Sequence, residues 1–360
     1  MQLLFRGHET LEKEKSWCVQ HMNKVAQSVP PWVAFNDILE ASKKMPELHP
    51  LRIPVVLPNI GWVGDVIPGY GFAPLIQGGA ITTYDGIINA RAGGNADDYG
   101  GVKLSQGAVA NQWSSFFRSG GQPGAGSYTN IPGGAVHNRA SAGAWPLKNP
   151  SGADKKYLLT LGVNHGTGTN IVLLIDLLVA AGNINANATG NQTVNSTALT
   201  RYSGTAAAGN MIILEVTTGL GVTASNFNVN SYTNEAGTTG RATGNNAMTT
   251  SCITYRLQPT TGSYLIPLQA DDLGVRSVET VVFSAAMGAG VVAILIFRPL
   301  MFIPTIATTT YVERDSTLQV DGLTELVLGS DSEVGCLTFL ILTGSNATGV
   351  QTYFIRTCSG

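Results

Sequence analysis

The chain has 360 residues, 44 % of them apolar, so it can bury a core and intrinsic disorder is excluded as its default state. Only 12 % of the residues are charged, about half the usual ~25 %, and the net charge is −2. There is no basic field to hold nucleic acid, and a free monomer with so few charges is poorly protected against association.

Residues 1–52 carry 13 of the 44 charged residues. Leu11, Cys18, Met22, Val25 and Val29 recur at helical spacing, with Thr10 placed to cap, which predicts a helix over about 9–28. Pro30 and Pro31 end it, and Trp32, Phe35, Ile38, Leu39 and Met45 predict a second helix over about 32–45. Prolines at 50, 54, 58, 68 and 74 then break the chain into short apolar pieces, read as an extended arm without central strands. Within 51–154 a short helix is expected at about 107–118, carrying Val109, Trp113, Phe116 and Phe117. These aromatics are expected to anchor the surrounding glycine-rich segments in a core.

Residues 155–360 read as strands. The candidates are 156–163, 170–180, 210–217, 225–233, 238–243, 251–257, 262–268, 276–285, 290–298, 305–313, 324–329, 336–343 and 350–357. Residues 225–233 and 276–285 contain alternating stretches, whereas Val291 to Phe297 is continuously apolar and reads as buried on both faces. The fold expected is mainly β: an antiparallel sandwich or jelly-roll body over 155–360, an N-terminal helical segment over 1–50, and an extended Gly/Pro-rich arm with a small β/helix region over 51–154. From 183 to 250 only Arg201, Glu215, Glu235 and Arg241 are charged.

Motifs for chemistry are sparse. His8-Glu9-Thr10-Leu11-Glu12 begins like a zinc-protease motif but has Glu where the second His belongs. Gly162 to Gly168 lacks the lysine of a phosphate loop and reads as a hairpin turn. Asp97-Asp98 and Asp271-Asp272 could in principle take calcium, though turn-capping explains the second pair better. No catalytic residue, cofactor or metal site is expected. The four cysteines form no CxxC pair, Met1 to Gly7 lacks the apolar core of a secretion signal, and no apolar run is long enough to span a membrane. The expectation is a chain made in the cytosol, with its thiols free.

An ordered set of phrases carries a resemblance. They include Trp113-Ser-Ser-Phe-Phe-Arg-Ser-Gly-Gly-Gln-Pro-Gly-Ala-Gly126, Ala142-Gly-Ala-Trp-Pro-Leu-Lys-Asn-Pro150 and Leu173-Leu-Ile-Asp-Leu-Leu178. Leu199-Thr-Arg-Tyr202, Leu214-Glu-Val-Thr-Thr218 and Asn230 to Arg241 follow, then Ile266 to Val278 and Glu313-Arg-Asp315. In this order the phrases resemble a family of tailed-bacteriophage virion structural proteins, over most of residues 82–315. The resemblance implies a non-enzymatic particle component, located in the virion. Its partners would be copies of itself and other capsid proteins, with no specific nucleic acid and no membrane. Within that class a decoration or cement protein is favoured. Alternatives are a jelly-roll major capsid protein and a receptor- or glycan-binding head spike or tail fibre. Apolar groups of the first 80 residues, Leu11, Met22, Trp32, Phe35, Val55, Leu57, Trp62 and Phe72, are the candidate interface with a neighbouring subunit.

Overall fold

A computed structural model describes residues 81–104, 109–165, 170–258, 265–305, 311–316, 323–343 and 350–360, and the backbone of 53–57 and 61–66. The chain divides into two compact units, Met1–Ala96 with Thr317–Gly322 and Ser359–Gly360, and Asp97–Ser316 with Leu323–Cys358. Residues 97–154, placed with the arm from sequence, are part of the larger unit.

In the smaller unit, β1 (Ile53–Leu57) and β2 (Gly61–Val66) form an antiparallel ladder whose register shifts beside Pro54. The proline-spaced stretch thus contains a strand pair, in a two-stranded ladder where every strand is an edge and a missing amide is tolerated. Helix α1 (Tyr84–Ala92) follows, unforeseen from sequence. Thr83 caps it by accepting the Gly86 amide at 3.1 Å, and Asp85 and Arg91 suit the two ends of its dipole.

The larger unit is built from strands. Their first group is β3 (Ala96–Lys103), β4 (Gln112–Ser115), β5 (Gly121–Gln122), β6 (Thr129–Asn130), β7 (Ala135–Val136), β8 (Lys156–His165) and β9 (Asn170–Asn185). Next are β10 (Gln192–Thr193), β11 (Met211–Thr218), β12 (Asn226–Asn234), β13 (Asn246–Ala247), β14 (Leu257–Gln258) and β15 (Val275–Phe283). The last are β16 (Val291–Thr305), β17 (Val312–Asp315), β18 (Thr324–Leu326), β19 (Cys336–Thr343) and β20 (Gln351–Ser359). The mainly β, sandwich-like fold read from sequence is the fold observed.

The central sheet runs β14-β11-β16-β9-β19-β4. It nearly closes into a barrel, because β4 returns to the β14 edge through a Ser114–Arg256 bridge and a Ser115 amide bond to the Tyr255 carbonyl at 3.0 Å. Its axis is the antiparallel pair β9 and β16, paired from Val291↔Asn185 to Thr305↔Asn170 with register shifts between Val292 and Ile294, Ile296 and Phe297, and Pro299 and Met301. Both are long Val/Ile/Leu-rich runs because both of their faces are covered. Leu173, Ile175, Leu177, Ile213, Leu295, Phe297 and Leu340 fill the interior with Trp113 and Leu257. The outer face carries two further cores. Val179, Ile184, Ile294 and Ile296 pack with Phe227, Val229, Val278 and Phe283 of the sheet β10-β15-β12-β13. Val172, Leu174, Met301, Ile303 and Phe339 pack with Leu158, Leu161 and Ile355 of the sheet β17-β8-β20-β3-β5, to which β18 adds. Each such side chain contributes about 1.5–3 kcal/mol on burial.

Three expectations are corrected. Residues 112–115 form strand β4, not part of a helix, because Trp113 fills the barrel interior while the backbone pairs with β19. Gly162 to His165 are the end of strand β8, and β8 and β9 lie in different sheets, so the stretch is not the turn of a hairpin. Residues 238–243 form no strand; Gly237 and Gly240 take positive φ, and only an isolated Tyr232–Arg241 bridge forms there. The helices expected over 9–28 and 32–45 lie outside the described residues.

Candidate functional site: a buried charge network and a neutral sheet face

Asp176 interrupts the apolar run of β9. It sits between Leu174, which packs toward the six-stranded sheet, and Leu178, which packs toward the four-stranded one. A carboxylate there must be paired. Arg201 reaches it with two hydrogen bonds, Nε to Oδ2 and Nη2 to Oδ1, each 2.9 Å, and neither side chain has appreciable exposure. Arg201 also donates to the His137 and Leu177 carbonyls at 2.6 and 3.3 Å, and the Cys336 amide donates to Asp176 at 2.8 Å. One ion pair therefore pins the loop after β10, the segment after β7 and the start of β19 to the central strand. A Cβ at Gly335 would stand 2.3 Å from Asp176 Oδ2, so the neighbouring position has no room for a side chain. Burial pushes the Asp176 carboxyl up against the pull of Arg201, and burial, then Asp176, pushes the Cys336 thiol far up, leaving it an inert thiol. His137 is buried against Phe117, ring centroids 5.0 Å apart; burial, then the Arg201 charge, lowers it to about 4.

A second group gathers around Glu215 on β11, which is fully buried. Arg118 donates Nε to it at 2.7 Å and lies over the Tyr255 ring at 4.6 Å, and the Tyr128 hydroxyl donates to its other oxygen. Burial, then Glu215, pushes the Tyr128 hydroxyl well up, so it stays a donor. These links bind the segment 116–128 to the sheet.

One acid of each calcium candidate pair is engaged by other donors. Asp272 accepts from Tyr232, from Asn234 at 2.7 Å and from Arg241 at 2.9 Å. Asp97 accepts from Lys156 at 2.6 Å and from the Lys148 amide at 2.9 Å. Among the described residues no three His, Cys, Asp or Glu converge as a metal site. Cys252, Cys336 and Cys358 are buried.

The four charges between 183 and 250 now have their places. Arg201 and Glu215 are paired as above, Arg241 holds Asp272, and Glu235 accepts the Leu273 and Gly274 amides at 3.1 and 3.0 Å. The partly or fully exposed positions of β12 and β15 carry amides and hydroxyls together with Arg276, Glu279 and Val282. Of the interface candidates from sequence, Val55 and Leu57 fall in β1 and Trp62 in β2, while Leu11, Met22, Trp32, Phe35 and Phe72 lie outside the described residues. Sequence reasoning missed the Asp176–Arg201 pair as a unit. The signal was present: an acid inside an eleven-residue apolar run needs a cation, and Arg201 is the next cation along the chain.

No family model and no curated protein matches the chain. Among solved structures, the D431N mutant VP2 protein of infectious bursal disease virus, in T=1 particles, aligns over 73 % of this chain and 77 % of its own, at 10 % identity and a TM-score of 0.16. VP2 in a subviral particle of the same virus aligns over 73 % and 80 %, at 10 % identity and 0.14. At these scores neither superposition carries a shared fold or function.

Proposed function

We propose that the chain is a non-enzymatic structural component of a virus particle, a capsid-associated decoration or cement protein of a tailed bacteriophage that works by packing against its neighbours. The observation that supports this most is the engagement within the chain of all four charged residues from 183 to 250, which leaves the exposed positions of that stretch without an unpaired charge. Interface cores are depleted of charge, and a neutral face loses little when water leaves it. Rigidity fits the same role. The buried ion pairs tie loops to the central strands, and many weak contacts then add through symmetry. The first 80 residues, with their apolar groups, serve as the arm that docks on the shell.

The test is mass spectrometry of density-purified particles together with a complementation assay. The full chain is expected in the particles in fixed stoichiometry, and a chain lacking residues 1–50 is expected to be soluble but missing from them. Absence of the full chain from purified particles would overturn the proposal. Wild-type incorporation of the truncated chain would remove the docking arm alone.

A further inference from the structure

The barrel closes along one thin seam. Strand β14 is held to β11 by the pairs Leu214↔Gln258 and Glu215↔Leu257, and β4 is held to β19 from Thr343↔Gln112 to Leu340↔Ser115. Between β14 and β4 the described residues form one isolated bridge, Ser114 to Arg256, beside the Ser115 amide bond to the Tyr255 carbonyl at 3.0 Å. The backbone on the β14 side of the seam is strained. Ser251 and Tyr255 take φ values of 54° and 70°, a region that is costly for a residue with a side chain. Tyr255 is kept there by β11, because its amide donates to the Val216 carbonyl at 2.8 Å and the Val216 amide donates to the Arg256 carbonyl at 2.8 Å. Arg118, lying over the Tyr255 ring, holds it from the other side chain.

Arg256 stands on this seam with its whole side chain buried. Its Nη1 donates across the seam to the Ser114 hydroxyl, while Nε and Nη2 have no hydrogen-bond partner. Those two groups form the same edge that Arg201 turns to Asp176. Among the described residues Arg256 forms no ion pair, and burial pushes its guanidinium below the usual range against the pull of Cys252. A buried cation with bare donors favours any state in which water reaches it. We propose that the β4–β14 seam is a built-in opening of the barrel: β4 stays on β19, β14 stays on β11, and hydration of Arg256 drives the two apart.

Neighbouring amides distinguish this motion from unfolding. Ser115 donates across the seam, whereas Phe116, next along the chain, donates to the Phe339 carbonyl of β19 at 3.0 Å, and Tyr255 donates to β11. Opening the seam bares the Ser115 amide and leaves the other two bonded. Departure of β4 from the sheet, or unfolding of the whole unit, bares Ser115 and Phe116 together. The opening is therefore a local event beneath the cooperative transition of the larger unit.

This inference stands apart from the proposed structural role, and its test involves no particles. The experiment is hydrogen exchange of the purified full chain, read at single amides by electron-transfer fragmentation in the mass spectrometer, for the wild type, Arg256→Met and Ser114→Ala. In the wild type Ser115 is expected to be protected about tenfold less, or weaker still, than Phe116 and Tyr255. Arg256→Met removes the charge at similar length and should slow Ser115 exchange by about tenfold, because opening no longer hydrates a guanidinium. Ser114→Ala takes away the one partner that Arg256 has when the seam is closed, and should speed Ser115 exchange by about three- to tenfold with Phe116 unchanged. Equal protection of Ser115 and Phe116 in the wild type overturns the inference, because the seam then opens only with the sheet. Faster or unchanged Ser115 exchange in Arg256→Met also overturns it, since Arg256 then holds the seam shut or plays no part. If Arg256→Met does not fold, the wild-type comparison and Ser114→Ala decide: Ser115 exchange left unchanged by Ser114→Ala overturns the role of Arg256.

Discussion

At the scale of single residues, the Asp176–Arg201 pair holds the loops together, and its value shows on removal. A paired buried charge is close to neutral against an apolar substitute, but one partner left alone is costly. Asp176→Ala strands Arg201 with no carboxylate, and a loss of about 3–5 kcal/mol is expected. Asp176→Leu combined with Arg201→Met should recover most of that loss; both are read from urea midpoints at constant m-value. His137 gives a pH dependence with a definite sign. Its imidazole is held neutral in the fold at about 4, against 6.5 when free, by burial and by Arg201. The unfolded chain therefore takes up the proton first as pH falls. The stability it contributes is complete above pH 6.5 and is lost as pH falls from there to about 4, on the order of 3 kcal/mol. His137→Phe should flatten the stability–pH curve of the wild type across that window. Sequence carried half of this network. Asp176 was visible as an acid in an apolar run, while His137 had no visible partner, because Phe117 and Arg201 come to it only through tertiary packing.

At the scale of elements, long strands were legible and short ones were not. The strands β8, β9, β11, β12, β15, β16, β19 and β20 declare themselves through β-branched content and burial on one or both faces. Helix α1 was missed because only Ile87 on it is buried, so it has no apolar stripe; Thr83, Asp85 and Gly93 marked its ends all the same. Residues 107–118 were misread in the other direction. The spacing of Val109, Trp113, Phe116 and Phe117 imitates a helix, but Trp113 is drawn into the barrel and Phe116 into the core beneath the six-stranded sheet. Gly143 shows how tightly this region is set, since its φ is +89° and a Cβ there would lie 2.7 Å from the Phe117 carbonyl. Trp113 occupies the seam where β4 meets both β19 and β14. Trp113→Ala is expected to cost about 3–5 kcal/mol, with cavity and lost closure acting together. Guanidinium denaturation reads the loss, and Val222→Ser, at an exposed position, should change stability by less than about 0.5 kcal/mol.

At the scale of the molecule, composition foretold the β-rich class and the scarcity of free charge, but not how the sheets combine. The sequence reading had one sandwich over 155–360. The structure has a nearly closed barrel with a sheet on each of two outer faces, and residues 97–147 help to complete it. No local pattern reveals this, because β9 and β16 are separated by the whole of the four-stranded sheet in sequence and meet only in the fold. Their length has a thermodynamic consequence. Val179 and Ile294 belong to one outer core, Val172 and Ile303 to the other, and Leu173 and Leu295 to the interior, all on the same two strands. Neither outer core can open without exposing residues next to the other two, so the larger unit should unfold as one cooperative body. Phe227→Ala loosens the core under the four-stranded sheet and Phe339→Ala the core under the six-stranded sheet; each is expected to lose about 3–5 kcal/mol. In hydrogen exchange followed by mass spectrometry, either substitution should speed the slowest amides of β12 and of β20 by the same factor, because both report the same global opening. If Phe227→Ala speeds exchange in β12 and leaves β20 at the wild-type rate, the outer sheets open independently and the continuous strands do not couple them.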